Sequence, residues 1–170
     1  MAPVKEHREE ATNVEVSLGL IITSDSILRG LKKDEITPLV ERVCSEYGVT
    51  LRSKVLVSNN KEEIKKAYND LVSSCNVVIV TGGTGLSPRD VTVEALKNYC
   101  NKDMPGFGEL FRYLTFLRHG SAAIASRSFA CVSGNTLLFA LPGSPDAVDL
   151  ALRELIMPEI RHLLYELRKT

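Results

Sequence analysis

A short continuous apolar run, Val77-Val78-Ile79-Val80, most constrains how this chain can fold. Four β-branched residues in a row favour a strand and leave no polar side for water. Such a strand needs cover on both faces, which a parallel sheet flanked by helices supplies. The flanks agree. Ile64, Ala67, Tyr68, Leu71 and Val72 recur at the spacing of one helical face. Residues 91–100 read as a second helix, with Ala95, Leu96 and Tyr99 inward.

The rest of the chain repeats that alternation. Residues 16–23 are apolar and β-branched, so they read as a strand. Thr37-Pro38 predicts an N-cap followed by proline at the first helical position. Leu39, Val40, Val43, Cys44 and Tyr47 then share a face, and Gly48 ends that helix. Residues 51–57 alternate like a strand. Phe107, Leu110, Phe111, Leu114 and Leu117 have helical spacing, and a further helix is expected over 121–126. Residues 128–132 and 136–141 read as a hairpin around Ser133-Gly134-Asn135. The stretch 145–167 is helical, with Pro158 kinking or dividing it. This order predicts a three-layer, doubly wound α/β fold. Its mainly parallel sheet gains an antiparallel hairpin strand and carries helices on both faces. Residues 14–170 are expected to form one domain, and the polar residues 1–13 a flexible N-terminal tail.

The 21 basic and 21 acidic side chains cancel, which argues against a general nucleic-acid binder. No apolar run approaches the roughly 18 residues of a membrane span. The start of the chain lacks the apolar core of a signal peptide. Cys44, Cys75, Cys100 and Cys131 stand far apart, and with only three histidines they form no zinc pattern. They are expected to be buried thiols in a reducing compartment, which places the protein in the cytoplasm.

In such a sheet, ligands bind beyond the carboxyl ends of the parallel strands. Thr81-Gly82-Gly83-Thr84-Gly85-Leu86-Ser87-Pro88-Arg89-Asp90 follows the apolar strand there. Glycines let backbone N–H groups approach an anion, Thr81, Thr84 and Ser87 add hydroxyls, and the next helix aims its positive end at the same place. The loop has no lysine of a P-loop and no third glycine of a dinucleotide fingerprint. It is expected to cradle a phosphate-bearing ligand. Pro142-Gly143-Ser144 follows the strand over 136–141 and lines the same crevice if the two strands are neighbours. Asp90 is the carboxylate best placed to hold Mg²⁺, or it caps the following helix. Ser24 and Asp34 are further candidates, with Asp25 beside them. Arg29, Lys32, Lys33 and Arg112 could neutralise phosphate.

These loops, with Pro105-Gly106-Phe107-Gly108-Glu109-Leu110-Phe111-Arg112, resemble the MoaB/MogA family of molybdenum cofactor biosynthesis proteins. The likeness covers nearly the whole chain. It implies a molybdopterin-binding α/β domain in a homo-oligomer, trimer or hexamer. It also implies molybdopterin adenylyltransferase activity: AMP passes from ATP, with Mg²⁺, to the terminal phosphate of molybdopterin. A downstream metal-insertion enzyme then takes the product. By motif, Gly82, Gly83, Thr84, Gly85 and Ser87 would contact pterin phosphate or nucleotide, Asp90 would be the catalytic and metal residue, and Pro142, Gly143 and Ser144 the opposing wall. Glu109 and Arg112 would order the crevice or a subunit contact. The chain departs from the family at Asp34-Glu35-Ile36-Thr37-Pro38, where Ser-Gly usually follows the aspartate. It departs again at Ser58-Asn59-Asn60, where active members usually carry an acid. Those departures keep a second reading open, a non-catalytic molybdopterin carrier or scaffold. A small-nucleotide hydrolase ranks third.

Overall fold

The computed structural model describes residues 11–169. Six strands form one sheet in the order β2-β1-β3-β6-β5-β4. They are β1 (Ser17–Thr23), β2 (Thr50–Val57), β3 (Val77–Thr81), β4 (Lys102–Asp103), β5 (Phe129–Ser133) and β6 (Thr136–Leu141). β2, β1, β3 and β6 run parallel, and β5 is antiparallel to β6 and β4. The helices are α1 (Asp25–Leu28), α2 (Ile36–Glu46), α3 (Lys61–Val72), α4 (Thr92–Leu96), α5 (Pro105–His119), α6 (Pro145–Leu150) and α7 (Met157–Arg168). The central strands β3 and β6 are buried throughout, whereas the edge strand β2 alternates. Alternation along β3 sends Val77 and Ile79 into a core with α2, α5 and α7, and Val78 and Val80 into a second core with α3 and α4. That division makes the three layers expected from the sequence.

Several local expectations change. Thr37 is not an N-cap. The helix starts at Ile36, and Asp34 Oδ1 accepts from the N–H groups of Ile36 and Thr37 at 2.9 Å each. An aspartate competes well for orphan donors, so Asp34 takes the capping role three residues ahead of Thr37. The helix expected over 91–100 is shorter: α4 ends at Leu96 and tightens into a 3₁₀ turn, Lys97–Tyr99. Residues 120–125 are likewise a 3₁₀ turn. The C-terminal helix is divided by a π-helical turn, Ala151–Ile156, just before Pro158, whose missing N–H disturbs the hydrogen-bond ladder there. The register of Ser133 with Thr136 leaves a two-residue hairpin turn. β4 is too short and polar to show in the sequence.

Two cysteines also depart from expectation. Cys44 and Cys75 are buried thiols, but Cys100 and Cys131 are joined in a disulfide. Their Cα atoms stand 5.6 Å apart because the chain before β4 lies against β5, a proximity that 31 residues of separation do not reveal. Most of the tail expected over 1–13 lies outside the described residues. Its last part, Ala11–Asn13, forms a 3₁₀ turn with Ala11 buried. Among the described residues, no helix is long and apolar enough to cross a membrane.

Candidate functional site

Because β3 and β6 are parallel neighbours with Thr81 opposite Leu141, their following loops start side by side. They are tied together. Gly82 N donates to Leu141 O at 2.9 Å, and Thr81 Oγ1 donates to Pro142 O at 2.8 Å. The contact is tight enough that a Cβ on Gly143 would stand 3.2 Å from Gly82 Cα. The two strands are therefore neighbours, and their loops meet.

The glycines of the 81–90 loop answer first to the fold. Gly82 has φ +97°, and a Cβ there would meet Thr23 O at 2.3 Å. Gly83 has φ +67°, and a Cβ there would meet Thr92 Oγ1 at 2.5 Å. Both positions need glycine to let the loop lie on β1 and α4, whether or not a ligand binds. The stronger sign of a ligand is elsewhere. The N–H groups of Gly83, Thr84 and Gly85 donate to no protein acceptor among the described residues. An unpaired run of this kind has the donors an anion needs. The helix dipole adds little here, since α4 has only five residues.

The loop separates two compartments. One, of about 340 Å³, lies toward β1 and is lined by Ser24, Asp25, Lys32, Asn59, Gly82 and Arg89, among others. The other, of about 370 Å³, lies toward α5 and is lined by Thr84, Phe111, His119, Ser144, Asp146 and Leu150, among others. Gly83, Asp90 and Gly143 border both. Asp90 does not cap α4, whose N-cap is Val91. Its Oδ2 turns back to accept from Ser87 N at 2.9 Å, and its Oδ1 has no hydrogen-bond partner among the described residues. Asp25 is bound to Asn59. Asn59 N and Nδ2 donate to its two carboxylate oxygens at 3.1 and 3.3 Å, while Thr23 Oγ1 donates to Asn59 Oδ1 at 3.0 Å.

The sequence-derived candidates divide accordingly. Ser24, Gly82, Gly83, Thr84, Gly85, Asp90, Pro142, Gly143 and Ser144 line one compartment or both. Ser24 and Ser144 also cap α1 and α6. Thr81 borders the β1-side compartment, but its hydroxyl is spent on Pro142 O. Asp34 lines neither, because both its oxygens cap α2. Ser87 sits on the outer turn, and Glu109 is exposed on α5 beside Arg112 in a separate hollow. Arg112 there donates to Ser128 O at 3.1 Å.

Sequence reasoning missed three groups. Asp146 takes His119 Nε2 at 2.9 Å and Arg118 Nη1 at 3.0 Å on the α5-side rim. The His119 hydrogen bond, helped by Arg118 against partial burial, holds the Asp146 carboxyl below its usual range. Arg89 lines the β1-side compartment. Arg127 donates to Gly85 O and Asp90 O from behind the loop. No local signal marks these residues, since each pairs with residues far along the chain or gains its meaning from a neighbouring loop.

The chain matches the family described as "Probable molybdopterin binding domain" over residues 19–162. It is 37% identical to molybdenum cofactor biosynthesis protein B of Bacillus anthracis over 171 residues, 98% of either chain. The crystal structure of the tungsten cofactor synthesizing protein MoaB from Pyrococcus furiosus superimposes with a TM-score of 0.84 and 32% identity. That match covers 91% of this chain and 98% of the other. The molybdopterin biosynthesis Mog protein from Mycobacterium ulcerans superimposes at 0.81 with 26% identity, covering 89% and 99%.

Proposed function

The chain belongs to the molybdopterin-binding domain family of the MoaB and MogA proteins of molybdenum cofactor biosynthesis, and from that premise we propose that it transfers AMP from MgATP to the terminal phosphate of molybdopterin. The observation that carries this reading is the wall of Gly83, Asp90 and Gly143 shared by two compartments. Two polyanions must be brought together against their repulsion, and donors at a common boundary serve both. In the proposed reaction a molybdopterin phosphate oxygen attacks the α-phosphorus of ATP. A new P–O bond forms, the α–β bridging bond breaks, and pyrophosphate leaves with the electron pair. The nucleophile is already anionic at neutral pH, so the protein need supply no general base.

Asp90, with Oδ1 unengaged, and Asp25 offer hard oxygen donors in the β1-side compartment. They would suit a magnesium ion that arrives with part of its own hydration. The described residues contain no group of three or more His, Cys, Asp or Glu able to hold a metal ion, so the ion would arrive with its nucleotide. When bound, Mg²⁺ screens the phosphate charge. Ser24, the free loop N–H groups and Ser144 would orient the two substrates.

Asn59 favours the second reading, a molybdopterin carrier, because it brings no charge where active relatives have an acid. One assay separates the two. Purified protein with molybdopterin and MgATP should yield adenylylated pterin and pyrophosphate in equal amounts. Molybdopterin binding without product would leave the carrier. Leu110, Tyr113, Phe116 and Leu117 are exposed along α5, with Ile124 beyond. We assign this apolar face to other copies of the chain in a trimer or hexamer. Sedimentation of Leu117→Glu should then show smaller particles than wild type.

A further inference from the structure

A backbone loop attracts an anion when its N–H ends face the ligand and its carbonyl ends do not, because every peptide carries both. In the 81–90 loop the carbonyls of Gly82, Gly83, Gly85 and Asp90 are taken up from outside the crevice. Gly82 O accepts from Thr92 Oγ1 at 2.7 Å, and Gly83 O accepts from Thr92 N at 3.0 Å. Gly85 O accepts from both Nε and Nη2 of Arg127, at 2.9 and 2.7 Å. Arg127 Nη2 also reaches Asp90 O at 3.2 Å. The remaining arm, Nη1, is held by the Glu94 carboxylate of α4. The fork is thus fixed on three sides, and it spans both ends of the turn that carries Asp90.

Arg127 borders neither compartment. It faces the hollow under Leu86, Ser87 and Pro88, on the outer side of the loop. It can act on a crevice ligand only through the backbone it grips. We propose that Arg127 is a positioning residue that sets the polarity of this loop. By drawing the Gly85 and Asp90 carbonyls outward, it leaves the N–H groups of Gly83, Thr84 and Gly85 for a polyphosphate and holds Asp90 in register with them. The proposal rests on the reading of this loop as a polyanion site. A lysine would keep the charge but carries its three donors on one atom, without the planar fork that spans Gly85 O, Asp90 O and the Glu94 carboxylate.

The test is a titration of the whole protein with inorganic pyrophosphate, followed through the backbone amide resonances of residues 83–85. In wild type these resonances should move and saturate. In Arg127→Ala, saturation should need about tenfold more pyrophosphate, the scale of losing hydrogen bonds to a charged group. Arg127→Lys should recover only part of that loss, and the thermal unfolding midpoints of both variants should show that the fold persists. Glu94→Gln, which loosens the fork but keeps it, should fall between wild type and Arg127→Lys. Wild-type affinity in Arg127→Ala would overturn the proposal. Wild-type affinity in Arg127→Lys would assign the effect to charge alone and overturn it too, as would wild-type resonances that ignore pyrophosphate. If wild type binds pyrophosphate at these amides but makes no adenylylated pterin, the transferase reading fails and the role of Arg127 stands.

Discussion

Two aspartates that look alike in the sequence end in opposite situations. Asp34 and Asp90 both lie in polar loops just ahead of helices, and either could cap or bind. Asp34 spends its carboxylate on the fold: Oδ1 takes two backbone N–H groups, and Oδ2 takes Thr37 Oγ1 at 2.5 Å. Asp90 spends one oxygen on Ser87 N and leaves the other over the boundary of two compartments. The difference lies in which donors stand nearby. Beside Asp34, the start of α2 offers unpaired N–H groups. Beside Asp90, the first N–H of α4, on Thr92, already donates to Gly83 O, and the Thr92 hydroxyl donates to Gly82 O. A loop carboxylate is available for chemistry when the neighbouring helix end does not need it.

That contrast predicts opposite consequences for the two residues. The largest effect is expected for Asp90→Asn, which should lower adenylyl transfer by about 100-fold or more, with molybdopterin affinity little changed. Steady-state rates alongside pterin titration check this, and unchanged turnover would break the distinction. Next comes Gly82→Ala, which forces a Cβ against Thr23 O at φ +97°. It should cost about 2–4 kcal/mol in urea unfolding. A stable Gly82→Ala protein would show that the loop can leave β1.

A smaller effect is expected at Asn59. Asn59→Asp would replace a donor to Asp25 with a second carboxylate, and unfolding experiments should show a loss of about 1–2 kcal/mol. Turnover should not rise. A gain in turnover would mean that a carboxylate at this position serves the metal, and would favour the carrier reading of the wild type.

The smallest effect belongs to Asp34→Ala, about 1 kcal/mol for loss of a cap. Burial alone would raise the Asp34 carboxyl, but its hydrogen bonds from Thr37 and Ile36 outweigh that and hold it below 3.8. The group is depressed on folding, so its contribution is fully present above pH 3.8 and fades as the pH falls through its lower folded value. Denaturation curves of wild type and Asp34→Ala should therefore separate at neutral pH and converge in acid, with catalysis at neutral pH nearly equal. A large catalytic loss in Asp34→Ala would put Asp34 back among the site residues.

Much of the frame was legible because periodicity is a local property. The run at Val77-Val78-Ile79-Val80 required cover on both faces, and the stripe from Ile64 to Val72 supplied it on one. Parallel order then placed the 81–90 loop and Pro142-Gly143-Ser144 at one end of the sheet. Less was legible where two distant segments meet. The Cys100–Cys131 bond, the two-residue strand β4 and the His119–Asp146 pair each depend on approach across the chain.

The sequence by itself determined a doubly wound sheet and a glycine-rich loop at its carboxyl edge, because hydrophobic spacing and the absence of Cβ atoms act within a few residues. Only the tertiary structure decided what the loop's polar groups are free to do. Arg127 stands 42 residues from Gly85, and Asn59 stands 34 from Asp25. Hydrogen bonds form with whatever the fold brings within about 3 Å. For that reason Asp34 turned to its helix, Asp25 to Asn59, and one oxygen of Asp90 to the crevice.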